Sequence, residues 1–310
     1  MTPILHHYPP SLFSEKVRVL FGYLDLEWSS VIIPPIMPRP HLMPLSGGYR
    51  KTPIMQIGAN VYCDTAIICR RLADLAGDHT LYRQGFAAER TARWADTELF
   101  RRVVALNFRP EALDAQMSQM SADDLAAFQA DRAELSGGAP LVAGDPAAAE
   151  AHFQTDLADL EKRLTDSAFL FGDSPCIADF SVYHCLWFVQ GNPANASLVK
   201  DWSAVTGFCS RMAEFGHAQV SHLSSEAALQ IATDHQPEFP GSASMSEALS
   251  ASISLGDDVN VAADDYGKNP IRGQLVHWDF HEIVVLREDP MAGSIMVHFP
   301  SQGFEVTVTS

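Results

Sequence analysis

The chain has 310 residues, 47% hydrophobic and 19% charged, a globular mix that excludes a disordered chain. At about 100–200 residues per domain that length predicts two or three domains. Lys and Arg number 21 against 38 Asp and Glu, and the formal net charge of −17 disfavours nucleic-acid and anionic-membrane partners. It does not forbid an anionic small ligand, because a local cluster of cations can override the global field. No apolar run reaches the roughly 18 residues of a membrane-spanning helix, and the first residues lack the basic-then-apolar pattern of a leader. The five cysteines are scattered and form no Cys-x-x-Cys pair, so reduced thiols and a cytoplasmic location are expected.

In chain order, residues 4–8 read as a strand stopped by Pro9-Pro10. Val17, Leu20, Phe21 and Leu24 keep helical spacing over 14–26. The β-branched run 30–33 is a second strand, closed by Pro34-Pro35, and a Pro/Met-rich loop leads to Gly47-Gly48. Strands over 54–57 and 61–63 and a helix over 65–76 complete a β-α-β-loop-β-β-α unit, assigned to residues 1–78. Helical patterns then run over 86–108, 121–135, 146–164, 178–188, 198–215 and 220–232, an all-α bundle assigned to 84–233. A linker is expected over 235–246. From there the hydrophobic period changes to two, with short strands at 259–261, 273–276, 282–286, 294–299 and 304–308. These predict a small all-β, barrel-like domain over 247–310.

Three features of the first unit carry chemistry. Ser11 and Ser14 stand where a strand runs into a helix, so a hydroxyl there lies beside free helix N–H groups and the positive end of the helix dipole. Ser14 could equally serve as a simple N-cap. Arg50-Lys51-Thr52-Pro53 opens a strand with a proline, the mark of an edge, a bulge or a cis bond. Asp64-Thr65 puts a carboxylate and a hydroxyl at another helix start, an arrangement able to hold a zwitterion or merely to cap.

In this order and spacing, the three resemble the N-terminal thioredoxin-like domain of the cytosolic glutathione transferase superfamily, serine type. Ser11-Leu12-Phe13-Ser14 matches the position of its catalytic Ser or Cys, Lys51-Thr52-Pro53 that of its cis-proline, and Asp64-Thr65 that of its Glu-Ser pair. Phe169 to Phe180, with Asp173, Cys176 and Asp179, is similar to the hydrophobic staple and capping box of the family's all-helical domain. The resemblance covers about residues 3–232 and does not reach the β segment.

The resemblance implies glutathione as co-substrate, a small hydrophobic electrophile as its acceptor (or a small acid to isomerise), no metal, and a homodimer. Under it Ser11 stabilises the thiolate, with Tyr8 as the rival hydroxyl. Thr52, before Pro53, pairs its backbone with the cysteinyl unit. Asp64 takes the γ-glutamyl ammonium and Thr65 its carboxylate, while Lys51, and less surely Arg50, meets the glycyl carboxylate. Three departures stand out. No cysteine occupies position 11 or 14, Asp64 is one methylene shorter than Glu, and Cys176 replaces the capping Ser or Thr. They leave open a non-catalytic binding or regulatory module whose β domain contacts a partner.

Other candidates read as structural. His277 and His281, four apart in a strand-like stretch, lie about 13 Å from one another and cannot share an ion. His6 and His7 point to opposite sheet faces. Asp257-Asp258 and Asp264-Asp265 are expected as solvated turn residues, and Phe180, Tyr183, Trp187 and Phe188 as core.

Overall fold

The computed structural model describes residues 1–117, 121–138, 145–239, 241–246, 249 and 252–309. Residues 240, 247, 248, 250 and 251, in or beside the expected linker, lie outside them.

The first unit comprises β1 (Ile4–His7), α1 (Leu12–Tyr23), β2 (Trp28–Ile32), a one-turn α2 (Met43–Ser46), β3 (Ile54–Ile57), β4 (Asn60–Cys63) and α3 (Thr65–Ala76). β1 pairs β2 in parallel and β3 in antiparallel fashion, and β3 returns on β4 through Gly58, whose φ of 60° suits a residue without a Cβ. β1 and β4 are buried throughout and β3 nearly so, because both sheet faces are covered there. Successive side chains alternate sides: Leu5, Met55 and Tyr62 enter one core with α1, α3 and the helical bundle. Ile4, Ile54, Val61 and Cys63 enter a second core on the opposite face.

That second core explains the C-terminal residues. The expected all-β unit is present as β6 (Asp258–Ala263), β7 (Ile271–Trp278), β8 (Glu282–Asp289), β9 (Gly293–Pro300) and β10 (Phe304–Val308). β6 to β9 form an antiparallel meander, and β10 returns to pair β6. β9 then lies parallel to β4, with Val61 opposite Val297, so that, with β5 (Val220–His222) at the far edge, one sheet runs β10-β6-β7-β8-β9-β4-β3-β1-β2-β5. Val259, Ile271, Val285, Val297 and Phe299 complete the core begun by Ile4 and Val61. At the seam the fully buried His298 bonds Glu282 (2.7 Å) and Asn60 (3.0 Å) and stacks on Tyr62.

The bundle contains α4 (Phe86–Trp94), α5 (Phe100–Asn107), α6 (Pro110–Met117), α7 (Ala122–Leu135), α8 (Pro146–Thr165), α9 (Ile177–Gln190) and α10 (Ser203–Ala213); beyond β5 (Val220–His222), α11 (Ser225–Thr233), expected as part of the bundle, instead buries Ala228, Leu229 and Ala232 in the second core. Four departures from the sequence pattern have local causes. The helix expected over 86–108 carries a π-helical turn at Ala95–Leu99 between α4 and α5. Helix α10 begins only at Ser203, because the Glu161 carboxylate of α8 accepts the Ala204 and Val205 N–H groups at 3.0 Å. The helix expected over 220–232 is a strand and a helix. Val220–His222 adds in parallel to the edge of β2, and Ser224 starts α11 by accepting the Ala227 N–H at 3.1 Å. The short helices α2 and α6 were not signalled at all.

The α9 start compensates for Cys176: the buried Asp179 carboxylate accepts the N–H groups of Cys176 (2.8 Å) and Leu170 (2.7 Å). Phe180, Tyr183 and Phe188 are core, as expected.

Helix α1 packs on the 215–216 turn so closely that a Cβ at Gly22 would lie 2.2 Å from the Gly216 carbonyl and 2.4 Å from that of Phe215. Backbone cannot yield as a side-chain tip can, so Gly22→Ala is expected to cost about 1–3 kcal/mol, read by denaturant unfolding.

Candidate active site

Ser11 is the N-cap of α1: its extended backbone ends the turn after β1, and its Oγ accepts the Ser14 N–H at 3.2 Å. Ser11, rather than the expected Ser14, is therefore the cap, and capping does not exclude a second role. The cap uses a lone pair, and the hydroxyl hydrogen remains able to donate to an anion. Ser11 is buried and Tyr8 half-buried. Ser14 Oγ, also buried, has no hydrogen-bond partner among the described residues.

Asp64 caps α3, its carboxylate accepting the Ala66 N–H at 2.8 Å. Its φ of 94° lies where a residue with a Cβ is strained, of order 1–3 kcal/mol, a kind of strain that clusters at functional sites. Burial raises the Asp64 carboxyl above its ordinary range, opposed by the Ala66 N–H and by Lys51. The Thr52-Pro53 peptide is cis. Among the described residues the Thr52 backbone N–H and carbonyl have no backbone partner, so the edge is open to an extended ligand.

The cations are differently placed from the sequence expectation. Arg50 pairs with Asp131 and Glu134 of α7, each at 2.8 Å. Lys51 pairs with Asp265 of the β6–β7 loop at 2.5 Å and sits 4.2 Å from the centre of the Tyr266 ring. Asp265 is the exposed turn residue expected of it, and through Lys51 it is also part of the candidate site. So is Tyr266, whose hydroxyl is raised by burial and, in the same direction, by Asp265, Asp64 and Tyr8.

Sequence reasoning missed Arg39, which is buried and donates to the carbonyls of Pro34, Pro35 and Arg50 and to Thr52 Oγ1. It holds the Pro-rich loop against the Thr52 turn; the one cation in a run of prolines was the available signal. Also missed was a buried network beneath Thr65. Lys16 Nζ reaches Asp96 (2.6 Å) and Thr65 Oγ1 (3.4 Å), and Asp96 in the π-helical turn also accepts from Ser181 and His184. Burial lowers the His184 pKa despite the opposing Asp96.

The cysteine side chains lie away from solvent. All five cysteines are free and buried, and burial pushes Cys69, Cys176 and Cys209 up to about 12 and Cys63 and Cys185 well above their ordinary value. Among the described residues no three His, Cys, Asp or Glu side chains are grouped to hold a metal. His277 is buried and bonded by Ser244, and His281 is an exposed turn residue, as expected.

Residues 5–80 match the family model of the glutathione S-transferase N-terminal domain, and residues 111–211 that of the C-terminal domain. The crystal structure of a GST-like protein from Pseudomonas syringae is 38% identical, covers 100% of both chains and superposes with a TM-score of 0.83. The chain belongs to the glutathione S-transferase family. That likeness spans the C-terminal strands, so the β extension is shared by this GST-like relative. Glutathione S-transferase III in apo form is 18% identical over 69% of this chain and 92% of its own (TM-score 0.49). A glutathione transferase family member from Pseudomonas fluorescens, solved with two glutathione bound, is 14% identical over 69% and 88% (TM-score 0.48). A search of curated protein sequences finds no match. Among the described residues no helix of this GST-family chain is long and apolar enough to cross a membrane.

Proposed function

We propose that the protein binds glutathione and activates its thiol for transfer to, or isomerisation of, a small hydrophobic electrophile. The observation that carries this reading is the placement of the Ser11 hydroxyl, with its hydrogen available, at the start of α1 in the same unit as the open Thr52 edge and the strained Asp64 cap. A free cysteinyl thiol has a pKa near 8.5 and is only about 3% thiolate at pH 7. A two-unit reduction, worth about 2.7 kcal/mol, raises that to roughly three-quarters. One hydroxyl donating to a charged sulfur supplies about 1.5–3 kcal/mol, so Ser11 alone comes close. In this reading Thr52 pairs with the cysteinyl unit, and Asp64 and Thr65 hold the γ-glutamyl end at the α3 N-terminus. The aromatic side chains Phe13 and Phe100, 4.9 Å apart between ring centres, offer an apolar surface beside α1.

Titration with glutathione while following heat stability tests the reading. At a hundredfold excess over Kd the ligand adds about 2.7 kcal/mol, visible as a rise in Tm. A flat Tm with both glutathione and S-alkylated glutathione overturns it.

A further inference from the structure

The geometry points to Asp265 as the residue that selects the thiol substrate: the β6–β7 loop fills the Lys51 position with an internal carboxylate. The site then favours a γ-glutamyl-cysteinyl compound whose C-terminal carboxylate is masked, as an amide or ester, over the free tripeptide acid. This deepens the reading above and rests on it, since it takes Lys51 as the receiver of the ligand's C-terminal end.

The loop is built into place. Gly267, with φ 63°, donates its N–H to the Leu135 carbonyl at the end of α7 at 2.9 Å, and the Asp264 N–H donates to the Gly303 carbonyl at 3.0 Å. A Cβ on Gly267 would lie 3.5 Å from Lys51 Cε and 3.1 Å from Leu135 Cδ1, so the loop backbone is packed on the lysine stem. Lys51 Nζ then has Asp265 at 2.5 Å and the Tyr266 ring 4.2 Å away.

The neighbouring arginines are engaged elsewhere. Arg50 is taken by Asp131 and Glu134, Arg132 by Asp131 and the Pro35 carbonyl, and Arg39 by three carbonyls and the Thr52 hydroxyl. A glycyl carboxylate arriving at Lys51 therefore meets Asp265 as a like charge, and must displace it or share one ammonium with it, which disfavours it strongly. A neutral amide or ester carbonyl accepts from the lysine or from the chain without that repulsion.

Binding of two probes, glutathione and its glycine monoethyl ester, to the whole protein and to Asp265→Asn tests this by calorimetry. The wild type should bind the ester about 10-fold more tightly or better, and Asp265→Asn should remove that preference by tightening glutathione. Side-chain exposure of 37% at Asp265 makes the asparagine variant compatible with the fold. Equal or tighter binding of glutathione by the wild type, or an unchanged ratio in Asp265→Asn, overturns the selection by Asp265 and leaves the glutathione site standing. Failure of both probes to bind either protein overturns the glutathione reading, and this inference with it.

Discussion

Ser11→Ala should lower kcat/KM about 10-fold at pH 6 and about 3-fold at pH 7, and should match or exceed the wild type above about pH 8. The profile follows from two opposed effects. Loss of the hydroxyl donor returns the bound thiol from about 6.5 to about 8.5, which cuts the thiolate fraction roughly 80-fold at pH 6 and 25-fold at pH 7. The more basic sulfur is also intrinsically more nucleophilic. With a Brønsted sensitivity near 0.45, two units return about 8-fold. The crossover distinguishes the catalytic role from the capping role that the same oxygen plays toward the Ser14 N–H. Loss of the cap alone costs about 1 kcal/mol of stability and does not move a thiol titration. Direct titration of the thiolate absorbance in the complex checks the shift. A bound thiol that titrates identically in wild type and variant removes Ser11 from the chemistry and leaves Tyr8 as the hydroxyl to test.

Asp96→Ala is expected to destabilise the protein by about 3–5 kcal/mol, the range for leaving a buried charge without its partner. Lys16, almost completely buried, would retain only Thr65 Oγ1 at 3.4 Å, and His184 and Ser181 would lose their acceptor. The double variant Lys16→Met with Asp96→Ala should recover much of the loss, since removing both members of a buried pair is far less costly than removing one. Wild-type stability should carry the same signature in acid. Burial works against ionisation of Asp96, yet Lys16 and His184 outweigh it and hold the carboxyl at about 2 against an ordinary 3.8. A group depressed in the folded state contributes its stability in full above the unfolded pKa and loses it as the pH falls through the folded one. About 2 kcal/mol should therefore disappear between about pH 4 and pH 2 in the wild type. Denaturant titrations across that window should show this slope in the wild type and a flatter one in Asp96→Ala. A slope unchanged by the substitution would mean that the acid sensitivity originates elsewhere.

Much of the site was legible in the chain because its parts are local. Ser11, Pro53 and Asp64 are recognisable where they stand: a cap, a strand-opening proline and a residue at a helix start depend on neighbours three or four positions away. Helices α8 and α9 were equally legible, since their apolar period and caps lie within one segment. The errors fall where a distant group decides. Val220–His222 is a strand because the edge of β2 pairs with it, and α10 starts late because Glu161 of α8 reaches its first N–H groups. That Asp265, an exposed turn residue as expected, pairs with Lys51 was not legible because the two are 214 positions apart. Asp96 carries no local mark of the groups it holds.

By itself the sequence determined a thioredoxin-like unit, a helical bundle and an all-β unit, together with the hydroxyl, the proline and the carboxylate of the site. Helix periodicity, strand alternation and capping are short-range properties that twenty consecutive residues suffice to express. Only the tertiary structure decided that β9 extends the first sheet at β4, closing a second core over Ile4 and Val61. It also decided that the β6–β7 loop brings Asp265 and Tyr266 to Lys51. Register and charge pairing across hundreds of residues are set by which faces pack together, and packing is a property of the folded chain as a whole.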